Sequence, residues 1–251
     1  MQVQGISALV TGAASGLGAA TVDELVGQGA HVVGVDLAGA IELVAPRDGV
    51  TYAAADVTDT EGVAAAVAAA TEQAPLRVVV SCAGIAPAAK LVGSRGVHDL
   101  DLFRKTIEVN LIGTFNVMRL AAEAMSANEP DDQGQRGVII NTASVAAFEG
   151  QIGQTAYSAS KGGVVGMMLP AARDLSSVGI RVNTIAPGIV DTPMMAAFSD
   201  EVRASLAASV PFPKRLARPD EFAQLVRMIV EHDYLNAETI RMDGAIRMQP
   251  R

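Results

Sequence analysis

The 251-residue sequence predicts an α/β fold, a doubly wound parallel sheet with helices on both faces. Short apolar runs alternate with longer segments of helical spacing from end to end, as in strands joined by crossover helices. The first run ends in a glycine-rich turn that opens a helix, and residues 6–36 have the length of one strand–helix–strand unit. Composition does not shift along the chain, so one domain is expected over residues 1–251.

Ile6, Ser7, Ala8, Leu9 and Val10 form the first strand, and residues 19–28 carry the helical spacing that follows the turn. The second strand, 31–35, stops at Asp36. Further strands are expected at 51–54, 77–81, 138–141, 180–185 and 239–242, each a short run rich in residues that suit a pleated, buried surface. Helices are expected at 60–73, 103–127, 155–176 and 220–231. The alanine-rich stretch 63–70 belongs to the first of these, since alanine is the best helix former. Residues 88–101 and 128–135 read as surface loops. Several prolines around a short helical piece at 200–209 mark about 188–213 as a lid behind a strand's C-terminal end.

Half of the residues are apolar, yet no continuous run reaches the ~18 needed to span a bilayer. The first residues carry no basic region, so a cytoplasmic location and no membrane association are expected. A net charge of −8 argues against nucleic acid as a partner. The single cysteine, Cys82, rules out an intrachain disulfide, and its apolar surroundings suggest a buried, inert thiol. His31, His98 and His232 are isolated, so no metal site is expected.

Gly12, Gly16 and Gly18 leave the first turn without side chains, so its N–H groups, together with Ser15 and Leu17, can approach a pyrophosphate at a helix N-terminus. Asp36 ends the second strand, where a carboxylate accepts hydrogen bonds from ribose hydroxyls and repels a 2′-phosphate. Neither Leu37 and Ala38 nor Ala14 and Ser15 offer a compensating cation, which favours NAD over NADP. Asp56 and Val57 follow the third strand and either meet an adenine ring or open the next helix. Tyr157 and Lys161 are four residues apart, on one helical face, where the ammonium can lower the phenol's pKa and make it a proton donor and acceptor. Ser144, at the end of an apolar strand, offers a hydroxyl to hold a substrate oxygen beside that phenol.

Thr11, Gly12, Gly16, Gly18, Asp36, Ala83, Gly84, Asn110, Ser144, Tyr157, Lys161, Pro187 and Gly188, in this order and spacing, resemble the short-chain dehydrogenase/reductase family along nearly the whole chain. The resemblance implies a Rossmann-type fold, Tyr157 as catalytic acid or base, Lys161 as the residue that tunes it and holds the nicotinamide ribose, and Ser144 as the orienting hydroxyl. It implies Asn110 supporting a water chain to Lys161. Ala83, Gly84, Pro187, Gly188 and Thr192 join the cofactor residues, and Gln154 joins Ser144 and Tyr157 at the substrate. Two-fold pairing of helices 103–127 and 155–176 implies a homotetramer. One departure stands out: Ser81 and Cys82 occupy positions where the family usually has asparagines, which calls into question the hydrogen bonds bracing the central strands.

A narrower likeness, to the type II 3-hydroxyacyl-CoA dehydrogenases of fatty acid metabolism, is carried by residues 134–151, 82–86, 210–213 and 240–250. It implies NAD-dependent interconversion of (S)-3-hydroxyacyl-CoA and 3-oxoacyl-CoA. A 3-oxoacyl-carrier-protein reductase, a steroid or secondary-alcohol dehydrogenase, and a non-catalytic interaction protein are the alternatives. Ile189, Met194, Met195, Phe198 and Leu206 supply an apolar lid for an acyl chain or a steroid. Lys90, Arg95, Lys214 and Arg215 are candidate cations for the CoA phosphates.

Overall fold

The computed structural model describes residues 1–94, 96–193, 195 and 198–250. Seven parallel strands form one sheet: β1 (Ser7–Thr11), β2 (His31–Asp36), β3 (Val50–Ala54), β4 (Leu76–Ser81), β7 (Gly137–Thr142), β8 (Ile180–Pro187) and β9 (Thr239–Met242). Their spatial order is β3-β2-β1-β4-β7-β8-β9. The chain winds outward from β1 in one direction, then returns to β4 and winds the other way. Such a reversal opens a crevice at the strands' C-terminal ends. Thr11 is in register with Ser81, and Ser81 with Asn141, so the segments leaving β1, β4 and β7 emerge side by side.

Both faces of the sheet are covered, which is why its inner strands are almost uninterrupted apolar runs. On one face lie α1 (Gly16–Gly27) and α8 (Pro219–Glu231), whose Val22, Leu25, Phe222, Val226 and Ile229 join Ala8, Val10, Val78 and Ile140 in one core cluster. The other face carries α3 (Thr60–Gln73), α5 (Thr114–Ser126) and α6 (Thr155–Leu175) over Leu9, Val79, Ile139 and Val182. Phe222 is fully buried, and truncating such a side chain to alanine costs roughly 3–5 kcal/mol.

Three features depart from the sequence expectation. The stretch 88–101 is not wholly loop, since β5 (Val92–Gly93) and β6 (Gly96–Val97) pair as a small hairpin. A short α2 (Ala38–Ile41) follows β2. The helix expected at 103–127 begins earlier, as α4 (Leu100–Ile107), because the Asp99 side chain accepts the Asp101 N–H at its N-terminus. It also changes pitch: residues Glu108–Gly113 form a π-helix before α5 resumes, and Thr114 donates its hydroxyl to Asn110 O at 2.8 Å there. The expected helical piece at 200–209 is α7 (Asp200–Ser209), capped by Ser199.

Candidate active site

The turn after β1 is shaped by the absence of side chains. Gly12 (φ +66°) and Gly16 (φ +54°) adopt left-handed backbone, and a Cβ on Gly12 would lie 2.9 Å from Ala83 N. A Cβ on Gly18 would lie 2.0 Å from Gly12 O, so the helix start and the turn touch through backbone alone. The Ser15 side chain makes no cap bond, which leaves the first N–H groups of α1 to a ligand. Thr11 Oγ1 accepts the Ala83 N–H at 3.1 Å and ties the ends of β1 and β4 together.

Asp36 sits at the end of β2 with Oδ2 accepting the Ala14 N–H at 2.9 Å and Oδ1 the Leu37 N–H at 2.8 Å. The carboxylate is therefore held over the glycine turn with lone pairs to spare. Asp56 accepts from Thr58 N (2.9 Å) and Oγ1 (2.8 Å), and these bonds outweigh desolvation to hold its carboxyl below the usual value. It does not cap α3; Asp59 does. Val57 is buried, and its carbonyl accepts from Asn116 Nδ2. Thr192 lies beside Gly16, its Cβ 3.4 Å from where a Gly16 side chain would begin. Gly188 follows Pro187 off β8 and donates to Met242 O, with no room for a Cβ against Asp243.

The polar cluster is assembled by α6 against the ends of β4 and β7. Ser144 has extended backbone, and its Oγ accepts the Ala146 N–H at 3.1 Å. Tyr157 lies in the first turn of α6 and Lys161 one turn on, its Nζ 5.9 Å from the Tyr157 ring centroid. Lys161 is 5% exposed and donates to Thr142 O at 2.7 Å. Asn110 is fully buried on the π-helix: Nδ2 donates to Ile85 O (2.8 Å) and Ser160 Oγ (3.0 Å), while Oδ1 accepts the Ile85 N–H (2.8 Å). A Cβ on Gly84 would stand 3.1 Å from Asn110 Oδ1 and 3.6 Å from Lys161 Nζ, so Gly84, Asn110 and Lys161 meet at one point. Gln154 precedes α6, and its Oε1 accepts the Gln151 N–H at 2.9 Å.

The electrostatics differ from the expectation that Lys161 lowers the phenol's pKa. Desolvation holds Tyr157 above its ordinary value, with the Ser144 hydroxyl opposing it. Burial also lowers Lys161 to about 8. Without a closer anion the lysine cannot keep a full charge cheaply, and it reaches a carbonyl before it reaches the phenol. Cys82 is raised to about 11 by burial, and Thr142 Oγ1 donates to its Sγ at 3.7 Å, so the thiol stays protonated.

Sequence reasoning missed three participants. Thr142 acts through its carbonyl, which residue type does not reveal. Ser160 links Tyr157 O to Asn110 and was visible only as a second serine between the tyrosine and the lysine. Ile85 holds Asn110 by its main chain. Of the cations assigned to CoA phosphates, Arg215 is instead paired bidentately with Glu221 (2.7 and 2.8 Å), one of two acidic residues in the first turn of α8. That pairing takes the Glu221 carboxyl down to about 2. Lys90 and Lys214 are exposed. Arg95 and the lid residue Met194 lie outside the described residues.

A doubly wound parallel sheet with a glycine turn after β1 and a serine, tyrosine and lysine beside the ends of β4 and β7 defines a nicotinamide-dependent dehydrogenase. The chain belongs to the short-chain dehydrogenase family: the family described as short chain dehydrogenase matches residues 7–203. Over 254 aligned residues it is 57% identical to the 3-hydroxyacyl-CoA dehydrogenase type-2 of Bos taurus, covering 99% of this chain and 97% of that one. The Homo sapiens protein of the same name is 54% identical at the same coverage. A crystal structure of 3-hydroxyacyl-CoA dehydrogenase type-2 from Mycobacterium avium superposes with a TM-score of 0.93 and 46% identity, covering 98% of each chain. The chain is thus an oxidoreductase that acts on a small molecule.

Proposed function

We propose that this chain interconverts short (S)-3-hydroxyacyl-CoA and 3-oxoacyl-CoA thioesters with NAD. The observation that carries the substrate is likeness over 99% of the chain to relatives named for that activity. Support for NAD comes from Asp36, fixed by Ala14 N–H and placed to repel a 2′-phosphate. The glycine cradle, the open N-terminus of α1 and Asp36 fit the adenosine and pyrophosphate. Ala83, Gly84, Pro187, Gly188, Thr192 and Lys161 fit the nicotinamide end, and Asp56 and Val57 the adenine. When bound, the nicotinamide accepts or donates the hydride.

The chain's own residues handle the oxygen and its proton. Ser144 holds the substrate oxygen, and the Tyr157 phenol gives or takes the proton there. Lys161 stands one helical turn behind, a cation whose charge the site must support as the phenolate forms. Asn110 fixes the segment after β4 against α6 and so sets where Lys161 can reach. The exposed Ile112, Phe115 and Leu169 on the π-helix, α5 and α6 support assembly of these helices into a homotetramer.

The test is loss of NADH absorbance with acetoacetyl-CoA, beside NADPH, an acyl-carrier thioester and a ketosteroid. Turnover with NADH and the CoA thioester is expected. Activity confined to another ketone would discard the thioester, and preference for NADPH would discard the argument from Asp36.

A further inference from the structure

Ser144 and Tyr157 are joined by a loop, residues 148–154, that carries one acidic residue and no basic one, Glu149. Its carboxylate, 24% exposed, takes Arg241 Nη1 at 2.8 Å and Nη2 at 3.2 Å, with Arg247 Nε at 3.3 Å. It also accepts the Met248 N–H at 3.1 Å. Two further bonds run from the same loop to the C-terminal segment: Gln151 Nε2 to Gln249 O and Ile152 N to Pro250 O, both 3.0 Å. On the loop's other flank, Ala89 N donates to Gly153 O at 2.8 Å. The turn that begins the segment is itself anchored. Asp243 accepts from Arg241 Nε (2.7 Å), Arg247 Nη1 (3.2 Å) and Ala245 N (2.9 Å), and Phe212 N donates to Gly244 O.

Glu149, Arg241 and Asp243 of this cluster are at least three-quarters buried, so their desolvation is offset only by the close geometry of these bonds. None of its side-chain bonds among the described residues reaches Ser144, Tyr157 or Lys161, so any effect on chemistry passes through the loop. We propose that Glu149 is a positioning residue: it fastens the C-terminal segment along loop 150–154, and the joined pair walls the space beyond the reacting carbonyl, where the arm of the substrate lies. Phe148, with Arg241 Cζ 5.5 Å from its ring centroid, and Ile152 are half-exposed and give the proposed wall apolar surface. The nature of the arm, a CoA thioester, rests on the function proposed above.

The experiment compares wild type, Glu149→Ala, Glu149→Gln and a chain ending at Arg247. It uses acetoacetyl-CoA and ethyl acetoacetate, which lacks the arm, together with amide hydrogen exchange of the NADH-bound protein. Glu149→Ala and the shortened chain should raise KM for the thioester by about tenfold, the size of one lost charge-assisted contact. Both kcat and the KM for NADH and for the small ketone should stay within about twofold, and Glu149→Gln, which keeps an acceptor for Met248 N–H, should recover most of the loss. Exchange at 150–154 and at 244–247 should accelerate together in Glu149→Ala. Unchanged thioester KM with unchanged exchange overturns the proposal, as does a parallel fall in kcat, NADH binding and melting temperature. Should wild type ignore the thioester, the acyl-CoA reading falls while exchange still decides the role of Glu149. If Glu149→Ala does not fold, Glu149→Gln and the shortened chain carry the same comparison.

Discussion

The turn after β1 and the loop before α6 lead into the two halves of the candidate site, yet they are held in opposite ways. Crowded backbone holds the turn, where Gly18 has its would-be Cβ 2.0 Å from Gly12 O and Asp36 reaches in to one N–H. Charge holds the loop, through Glu149 and Arg241 to a segment about a hundred residues further along. The difference teaches that one half of the site is set by volume and the other by electrostatics. They should therefore fail under different insults.

The largest expected effect lies on the loop side: Tyr157→Phe should lower kcat by about a thousandfold with NADH affinity unchanged, as measured by steady-state turnover and fluorescence titration. Next is the turn. Gly18→Ala should weaken NADH binding by about a hundredfold, because an added methyl forces backbone apart, and neither salt nor pH should rescue it. Asp36→Ala should be milder, costing about tenfold in NADH affinity while narrowing the gap to NADPH in the same titration.

The smallest effect is one of pH on the cofactor-free protein. Lys161 is held at about 8 when folded, so above that pH the unfolded chain keeps a proton the native chain has released, and stability rises with pH. Cys82, held at about 11, acts oppositely once its unfolded thiol ionises near ~9. Urea unfolding should therefore show a gain of about 1 kcal/mol between pH ~8 and ~9 and then a plateau. Lys161→Met should remove the gain, and Cys82→Ala should extend it to higher pH.

The turn was legible because glycine spacing and a strand-end aspartate are local signals, and Tyr157 with Lys161 because a four-residue interval is one helical turn. What stayed hidden depends on distant or main-chain partners. Lys161 meets the Thr142 carbonyl, Arg215 meets Glu221, and Glu149 meets Arg241. At Ser81 and Cys82, where the bracing bonds were in question, Ser81 Oγ and, opposite it on β7, Asn141 Oδ1 are buried without a hydrogen-bond partner among the described residues, and Cys82 Sγ takes a long contact from Thr142, while Thr11 Oγ1 still ties β1 to the segment after β4. The hairpin in 92–97 was missed because strands of two residues carry no alternation to read.

The π-helix at Glu108–Gly113 has a further consequence, for insertions and deletions rather than substitutions. A wide turn is in effect one residue added to an α-helix, and each residue is worth about 100° of rotation. Removing any one residue between 108 and 113 would let the wide turn close to ordinary helix and leave the flanking helices on their present faces, whereas adding one would swing everything beyond it. After a deletion Val117, Ala121 and Met125 would keep their place in the core, and the cost would fall on Asn110 and its bonds to Ile85 and Ser160. Related chains should therefore keep the length of this turn together with Asn110 and Gly113, whose added Cβ would lie 2.5 Å from Val57 Cγ2, and vary at its other positions.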